Sequence, residues 1–266
     1  MGPKQAAAEL RPLLSPRSIR RNGALYVLDR LRRRSYRHLT EHELLATRAG
    51  DTAFVFGSGR SLLELTSDEW RRIGGHATIS FSEFLRQRFV RADYHVVGEV
   101  HDVAEYAALL RDNPRYSDTI VLLQEGWRAD DSNALVGRRL LSPGARVFRY
   151  RRTSRGRYSP PSRTFREGLV HGWNTSIGVT NFALLMGFRR IVLTGIDLYD
   201  KNYFWLDESE LRPTVTTAVD APFPTAEPVV ELFGRWRELL EPEGVELAVY
   251  NPRSLLARSL EVFRWS

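Results

Sequence analysis

From about residue 51 the chain alternates between compact apolar runs and stretches with helical spacing. "TAFVF" (52–56), "HATIS" (76–80), "DYHVV" (93–97), "DTIVLLQ" (118–124), "RRIVLTG" (189–195) and "VELAV" (245–249) have the length and β-branched content of buried strands. Between them, helices are predicted for "SDEWRRI" (67–73) behind Thr66 or Ser67, "SEFLRQRF" (82–89), "DVAEYAALLRD" (102–112), the Val229–Leu232–Phe233–Trp236–Leu240 stripe, and "NPRSLLARSLEVF" (251–263) with Asn251 as N-cap. This alternation predicts an α/β fold: a largely parallel sheet with helices on both faces. No internal repeat interrupts it.

Residues 174–188 carry no charge at all. Val179, Phe182, Ala183 and Met186 fall at i, i+3, i+4, i+7, which predicts a helix facing the sheet, closed by Gly187. "RRIVLTG" follows as a buried strand, so Asp197 stands just past its carboxyl end, the edge at which open α/β sheets bind ligands. An acid there can meet a ribose hydroxyl or a metal. Residues 200–228 lack periodicity and contain prolines, as in a lid or binding loop.

Residues 1–50 read as a basic helical N-terminal arm, with residues 51–266 as the α/β domain. The arm holds Arg17, Arg20, Arg21, Arg30, Arg32, Arg33, Arg34 and Arg37 among Leu25, Val27, Leu28 and Leu31, a pattern suited to an anionic membrane surface or to packing on the domain. Thr40 and Glu43 form the sequence signature of a capping box. A second basic cluster, Arg146 to Arg166, lies among Ser, Gly and Pro and reads as a loop before the uncharged stretch.

Composition narrows the chemistry. The chain has 266 residues, mean hydropathy −0.34, a net charge of +7 and only two lysines, Lys4 and Lys201, so arginine dominates and anionic partners are favoured. With no cysteine, a disulfide, a thiolate nucleophile or Cys-ligated zinc is excluded. There is no apolar window of roughly 18 residues and no signal-peptide core, which predicts a cytoplasmic protein, and the basic arm allows peripheral contact at the inner face of the membrane.

Strand–"GSGRSL" (57–62) places Gly57, Ser58 and Gly59 where backbone could approach a phosphate or nucleotide, although Leu62 replaces the third glycine of a dinucleotide fingerprint. "HLTEH" (38–42) matches a zinc-protease pattern, but Thr40 as N-cap leaves His38 outside the helix. No G-x-S-x-G elbow and no D-x-D pair occur, and no metal site is assigned.

Three segments together resemble the bacterial lipooligosaccharide sialyltransferases, which use CMP-activated sialic acid: strand–"GSGRSL", "NTSIGVTNFALLMGFRRIVLTGIDLY" (174–199) and "VYNPRSLLA" (249–257). The glycine turn and the G-x-D segment also resemble the hydroxymethylpterin pyrophosphokinase and motility-accessory family. The first resemblance implies a Rossmann-like glycosyltransferase that moves a sugar from a CMP-linked donor to a glycan or glycolipid by metal-independent inverting displacement. It implies no resident cofactor, the CMP-sugar being a substrate, and no nucleic-acid partner. Gly57, Ser58 and Gly59 would approach the nucleotide, Thr175, Ser176 and Gly178 would hold its phosphate and base, and Gly195 and Asp197 would meet the ribose. Tyr199 and Tyr203 would hydrogen-bond the leaving phosphate. The family's general-base histidine has no counterpart at the lid's end, where Pro224 or Thr225 stands. Asp220, Glu227 and His171 are the candidates for the proton, and Asp220 is counted with Tyr199 and Tyr203 as catalytic. The alternatives are a Mg-ATP pyrophosphokinase of the pterin type and a non-catalytic nucleotide- or nucleic-acid-binding protein.

Overall fold

The structure, a computed structural model, describes residues 16–98, 100–153, 156–211 and 225–265. The apolar runs form strands β2 (Thr52–Phe56), β3 (Ala77–Phe81), β4 (Tyr94–Val96), β5 (Ile120–Gln124), β7 (Arg190–Thr194) and β8 (Glu246–Val249). Three further strands, β1 (Arg37–His38), β6 (Arg146–Tyr150) and β9 (Glu261–Val262), complete one sheet of nine strands in the order β1-β6-β5-β4-β3-β2-β7-β8-β9. Every neighbouring pair is parallel.

The helices are α1 (Pro16–Arg32), α2 (Glu41–Leu45), α3 (Ser67–Ile73), α4 (Val103–Asp112), α5 (Asp130–Gly137), α6 (Thr175–Leu185) and α7 (Ala226–Leu240). Because side chains alternate across a strand, each strand feeds two cores. Ala53 and Val55 of β2, with Ile191 and Leu193 of β7, face α6 and α7 through Val179, Phe182, Phe233 and Trp236. Phe54, Phe56 and Val192 face the opposite side with Trp70 and Ile73 of α3 and Phe84. Val121 and Leu123 of β5 meet Tyr106 and Leu110 of α4 and Leu135 of α5 on that same side. The expected α/β sheet with helices on both faces is therefore what forms.

The absence of charge in α6 follows from burial on nearly all sides. Its sheet-facing stripe is sealed, and Ser176, Thr180 and Asn181 are buried too. Asn181 binds the covering segment: Oδ1 accepts from Val170 N at 2.9 Å and Ser162 N at 3.3 Å, and Nδ2 donates to Ser162 O at 3.1 Å. Its β-branched residues disfavour helix by at most about 0.7 kcal/mol each. Full burial of one Val or Phe contributes about 1.5–3 kcal/mol, so packing decides the conformation.

Several expectations are corrected. The basic run from Arg146 begins as strand β6, not loop; Val147, Phe148 and Tyr150 enter the core while the Arg149 side chain, 7% exposed, pairs with an acid. Residues 251–263 do not form a helix: the chain turns at Asn251, makes a short 3-10 turn (Leu255–Arg258) capped by Ser254, and ends in β9. Residues 82–89 give only a 3-10 turn (Ser82–Arg86), since Ser82 leaves β3 with φ of 49°.

The capping box at Thr40 and Glu43 is present, and it starts α2 after His38, which lies in β1 with Nε2 bonded to Arg33 O at 3.0 Å. Two histidines on one helical face, as the zinc pattern needs, are therefore not formed. The described part of residues 1–50 is built into the edge of the sheet, since β1 pairs with β6 and α1 lies along α5. Asp29 of α1, fully buried, pairs with Arg149 of β6 and with Arg33. Leu25 packs inward, whereas Val27 and Leu31 are 55% and 74% exposed. No helix among the described residues is long and apolar enough to cross a membrane.

Candidate functional site

The strand order reverses between β2 and β7: β3 to β6 continue on one side, β8 and β9 on the other. At such a switch point the loops after adjacent strands part and leave a crevice at the carboxyl edge. A cleft of about 520 Å³ occupies this place. Its walls come from the loops after β2 (Gly57, Ser58, Gly59), β3 (Ser82, Glu83, Arg86), β4 (His101, Asp102, with Glu105 and Tyr106 of α4) and β7 (Gly195–Leu198, Asp200, Asn202, Tyr203, Trp205), and from Asn174, Thr175 and Ser176.

The two glycine loops lie against each other. Gly57 N donates to Thr194 O at 2.9 Å and Gly59 N to Gly195 O at 2.7 Å. A Cβ at Gly57 would stand 2.5 Å from Gly195 O, and one at Gly59 would stand 2.2 Å from Asp197 Oδ2. Glycine is needed here because backbone and a buried carboxylate take the space a side chain would fill. Gly195 has φ of +65°, and two non-glycine residues of the walls, Ser82 and Leu198, also have positive φ, of 49° and 65°. Strained backbone of this kind concentrates at functional sites.

Asp197 is 4% exposed. Oδ1 accepts from Ser61 Oγ at 2.6 Å and Asn251 Nδ2 at 3.0 Å, and Oδ2 from Ser61 N at 3.1 Å. Burial raises its pKa above the ordinary carboxylate value, and the Ser61 and Asn251 hydrogen bonds oppose that rise. Asn251 thus acts as a partner of Asp197, and its Oδ1 accepts Arg253 N at 2.9 Å in an Asx-type turn.

Helix α6 points its N-terminus at the cleft. Asn174 stands at the N-cap but makes no capping bond to the backbone; its Oδ1 instead accepts from Ser176 Oγ at 2.6 Å. No acid occupies the first turn. The first N–H groups therefore keep their anion-binding capacity, supported by the helix dipole.

Of the residues singled out from sequence, Gly57, Ser58, Gly59, Thr175, Ser176, Gly195, Asp197 and Tyr203 meet around this cleft. Gly178 does not line it: it lies one turn inside α6, where a Cβ would meet Val170 O at 3.2 Å. Tyr199 also stands outside the lining; Asn251 Nδ2 donates to its hydroxyl at 3.4 Å, and burial, then Asp197, pushes its pKa up to about 12. Tyr203 pairs its backbone with Gly59 and stacks on Trp205 at 4.7 Å. The start of the expected lid is docked onto the first glycine loop, with Arg60 N donating to Asn202 O at 3.1 Å and Phe204 N to Ser58 O at 3.2 Å. Asp220, and residues 212–224 of the lid, lie outside the described residues. His171 sits away from the cleft lining beside Arg152, its pKa lowered to about 4 mainly by burial.

The sequence reading missed the residues contributed by the loops after β3 and β4. Arg86 bonds Glu83 at 2.7 Å and Glu105 at 2.8 Å, and its guanidinium lies 6.0 Å from the Trp205 ring centroid. Beneath them His95 is fully buried, with Nδ1 2.8 Å from Ser80 Oγ and Nε2 bonded to the Tyr106 hydroxyl; burial lowers its pKa to about 3, so it stays neutral. The available signal was positional: residues following each parallel strand belong to one edge. Among the described residues no three His, Asp or Glu groups converge as a metal site.

No protein-family model matches the chain, and no curated protein matches it. Among solved structures it is similar to the sialyltransferase Cst-II, a tyrosine-to-phenylalanine variant in complex with CMP. The TM-score is 0.50 at 16% identity, over 80% of this chain and 86% of that one. The likeness shows the fold: an open parallel α/β sheet of the Rossmann-like type, shared with a glycosyltransferase.

Proposed function

We propose that the protein is a glycosyltransferase that moves a sugar, sialic-acid-like in class, from a CMP-linked donor to a hydroxyl of a glycan or glycolipid. The observation that carries this reading is the uncapped N-terminus of α6 facing the cleft that Asp197 and the two glycine loops enclose. A nucleoside monophosphate fits these groups: ribose hydroxyls toward Asp197, phosphate toward the N–H groups at Thr175 and Ser176. The similarity to a CMP-bound sialyltransferase supports cytosine as the base.

In the reaction the acceptor oxygen attacks the anomeric carbon as the bond to the phosphate breaks. Charge grows on the leaving phosphate, where preorganised N–H donors and the helix dipole act most strongly. Tyr203, on the cleft wall, would hydrogen-bond that phosphate, while Tyr199 would support Asp197 through Asn251. The lid continuing from Trp205 would exclude water that would otherwise hydrolyse the donor. The outer face of α1, with Val27 and Leu31 beside Arg30, and the exposed Arg34 just past its end would rest on an anionic membrane bearing lipid-linked acceptors.

The test is thermal stabilisation by CMP, CTP, ATP, UDP and GDP, each with Mg²⁺ and with EDTA. A ligand at a hundred times its Kd adds about 2.7 kcal/mol. Stabilisation by CMP that persists in EDTA is expected. A shift with Mg-ATP alone would replace this reading with the pyrophosphokinase.

A further inference from the structure

Transfer to a hydroxyl needs a group to take its proton, and this inference rests on the transfer reading above. The described cleft carries five carboxylates, and each is committed. Glu83 and Glu105 both hold Arg86, at 2.7 and 2.8 Å. Asp102 is the N-cap of α4, accepting from Ala104 N at 2.7 Å and Glu105 N at 3.0 Å, bonds that lower its pKa and weaken it as a base. Asp197 is held by Ser61 and Asn251. Asp200 is buried and accepts from Asn202 N at 2.9 Å and Nδ2 at 3.1 Å. The buried His95 has both ring nitrogens engaged below the cleft floor.

His101 differs from all of these. It borders the cleft, is exposed, and makes no hydrogen bond to any described residue. Two features fix where it stands. A Cβ at Gly98 would lie 3.1 Å from Ser82 Oγ and 3.3 Å from Thr175 Oγ1, so the chain leaving β4 passes against the N-terminus of α6. Four residues later Asp102 caps α4 and anchors the following turn. His101 thus lies on the loop between the α6 N-terminus and the α4 cap, and the other charged groups of the lining are Glu83 and Arg86 from the β3 loop, Asp102 at the α4 cap, Glu105 of α4, and Asp197 and Asp200 from the β7 loop.

We propose that His101 is the general base of this cleft, contributed by the loop after β4 and not by the lid. The acceptor oxygen forms its bond to the anomeric carbon, the bond from that carbon to the phosphate oxygen breaks with its electron pair leaving on CMP, and the acceptor proton passes to a ring nitrogen of His101. The imidazolium then returns the proton to solvent.

The experiment uses the full chain and its His101→Ala variant. It measures CMP affinity by calorimetry and CMP release from CMP-N-acetylneuraminic acid, with water or a mixture of sugar hydroxyls as acceptor, across pH 5 to 8. The expected result is an unchanged CMP Kd and a kcat lower by about 10²–10⁴-fold. The wild-type acid limb should be absent in the variant, and added imidazole should restore part of the rate, a rescue that a structural role would not give. A variant kcat within about threefold of wild type overturns the proposal, as does an acid limb retained in the variant. Loss of that limb in Asp220→Asn instead would move the proton to Asp220. CMP binding with unchanged turnover overturns this proposal alone, whereas absence of CMP binding in wild type overturns the donor reading and this proposal with it.

Discussion

Gly59 and Asp197 are in such close approach that a Cβ on Gly59 would stand 2.2 Å from Asp197 Oδ2. The carboxylate is clamped by Ser61 and Asn251 and cannot retreat cheaply. Gly59→Ala is therefore expected to destabilise the protein by about 1–3 kcal/mol through overpacking, and to weaken CMP binding more than that loss explains. Paired denaturation and calorimetry measurements check this; a variant of wild-type stability would place the loop differently.

Asp197 also sets a pH dependence. Burial raises its folded-state pKa above the unfolded value of 3.8. The associated stability is full below the unfolded value and is lost as pH rises through the folded one. Asp197→Asn has no such titration, so its stability relative to wild type is expected to improve as pH rises from about 4 through the folded-state pKa and then to level off, whatever the cost of its altered hydrogen bonds. Denaturant midpoints for both proteins across that range read the slope.

The interior strands β2, β3, β4, β5, β7 and β8 were legible because strands buried on both faces must be apolar throughout. The other three strands were not: β1 and β9 at the edges have two residues each, and β6, inside β1, carries Arg146 and Arg149, which look like surface loop until Asp29 is seen to bury one of them. For the site, Gly57, Gly59, Gly195 and Asp197 could be placed because they directly follow strands. Arg86, His101 and Glu105 could not, because strand order alone brings their loops to that edge. Asn251 was visible, but its competing use by Asp197 was not, and so it read as a helix cap.

The Asp29–Arg149 pair is nearly sealed, with side chains 0% and 7% exposed. Removing one partner leaves an uncompensated buried charge, so Asp29→Ala is expected to cost about 3–5 kcal/mol. Asp29→Leu combined with Arg149→Met should recover most of it. Chemical denaturation of the three proteins decides the point.

Asn181 holds the segment over α6 by three hydrogen bonds. Asn181→Ala leaves buried backbone groups at Ser162 and Val170 without partners, at about 1–3 kcal/mol each. Cleavage by trypsin at Arg163 or Arg166 is expected to accelerate before global unfolding; unchanged cleavage would mean the segment is held by other contacts.

Thr175 opens α6 at the cleft, and its first turn contains no acid. The most direct measurement is isothermal titration of CMP in EDTA against wild type and Thr175→Glu, whose carboxylate would compete for the same N–H groups. The account predicts saturable one-to-one binding to wild type and at least a tenfold loss in a variant of unchanged melting temperature. No binding to wild type, or equal affinity in the two proteins, would contradict it.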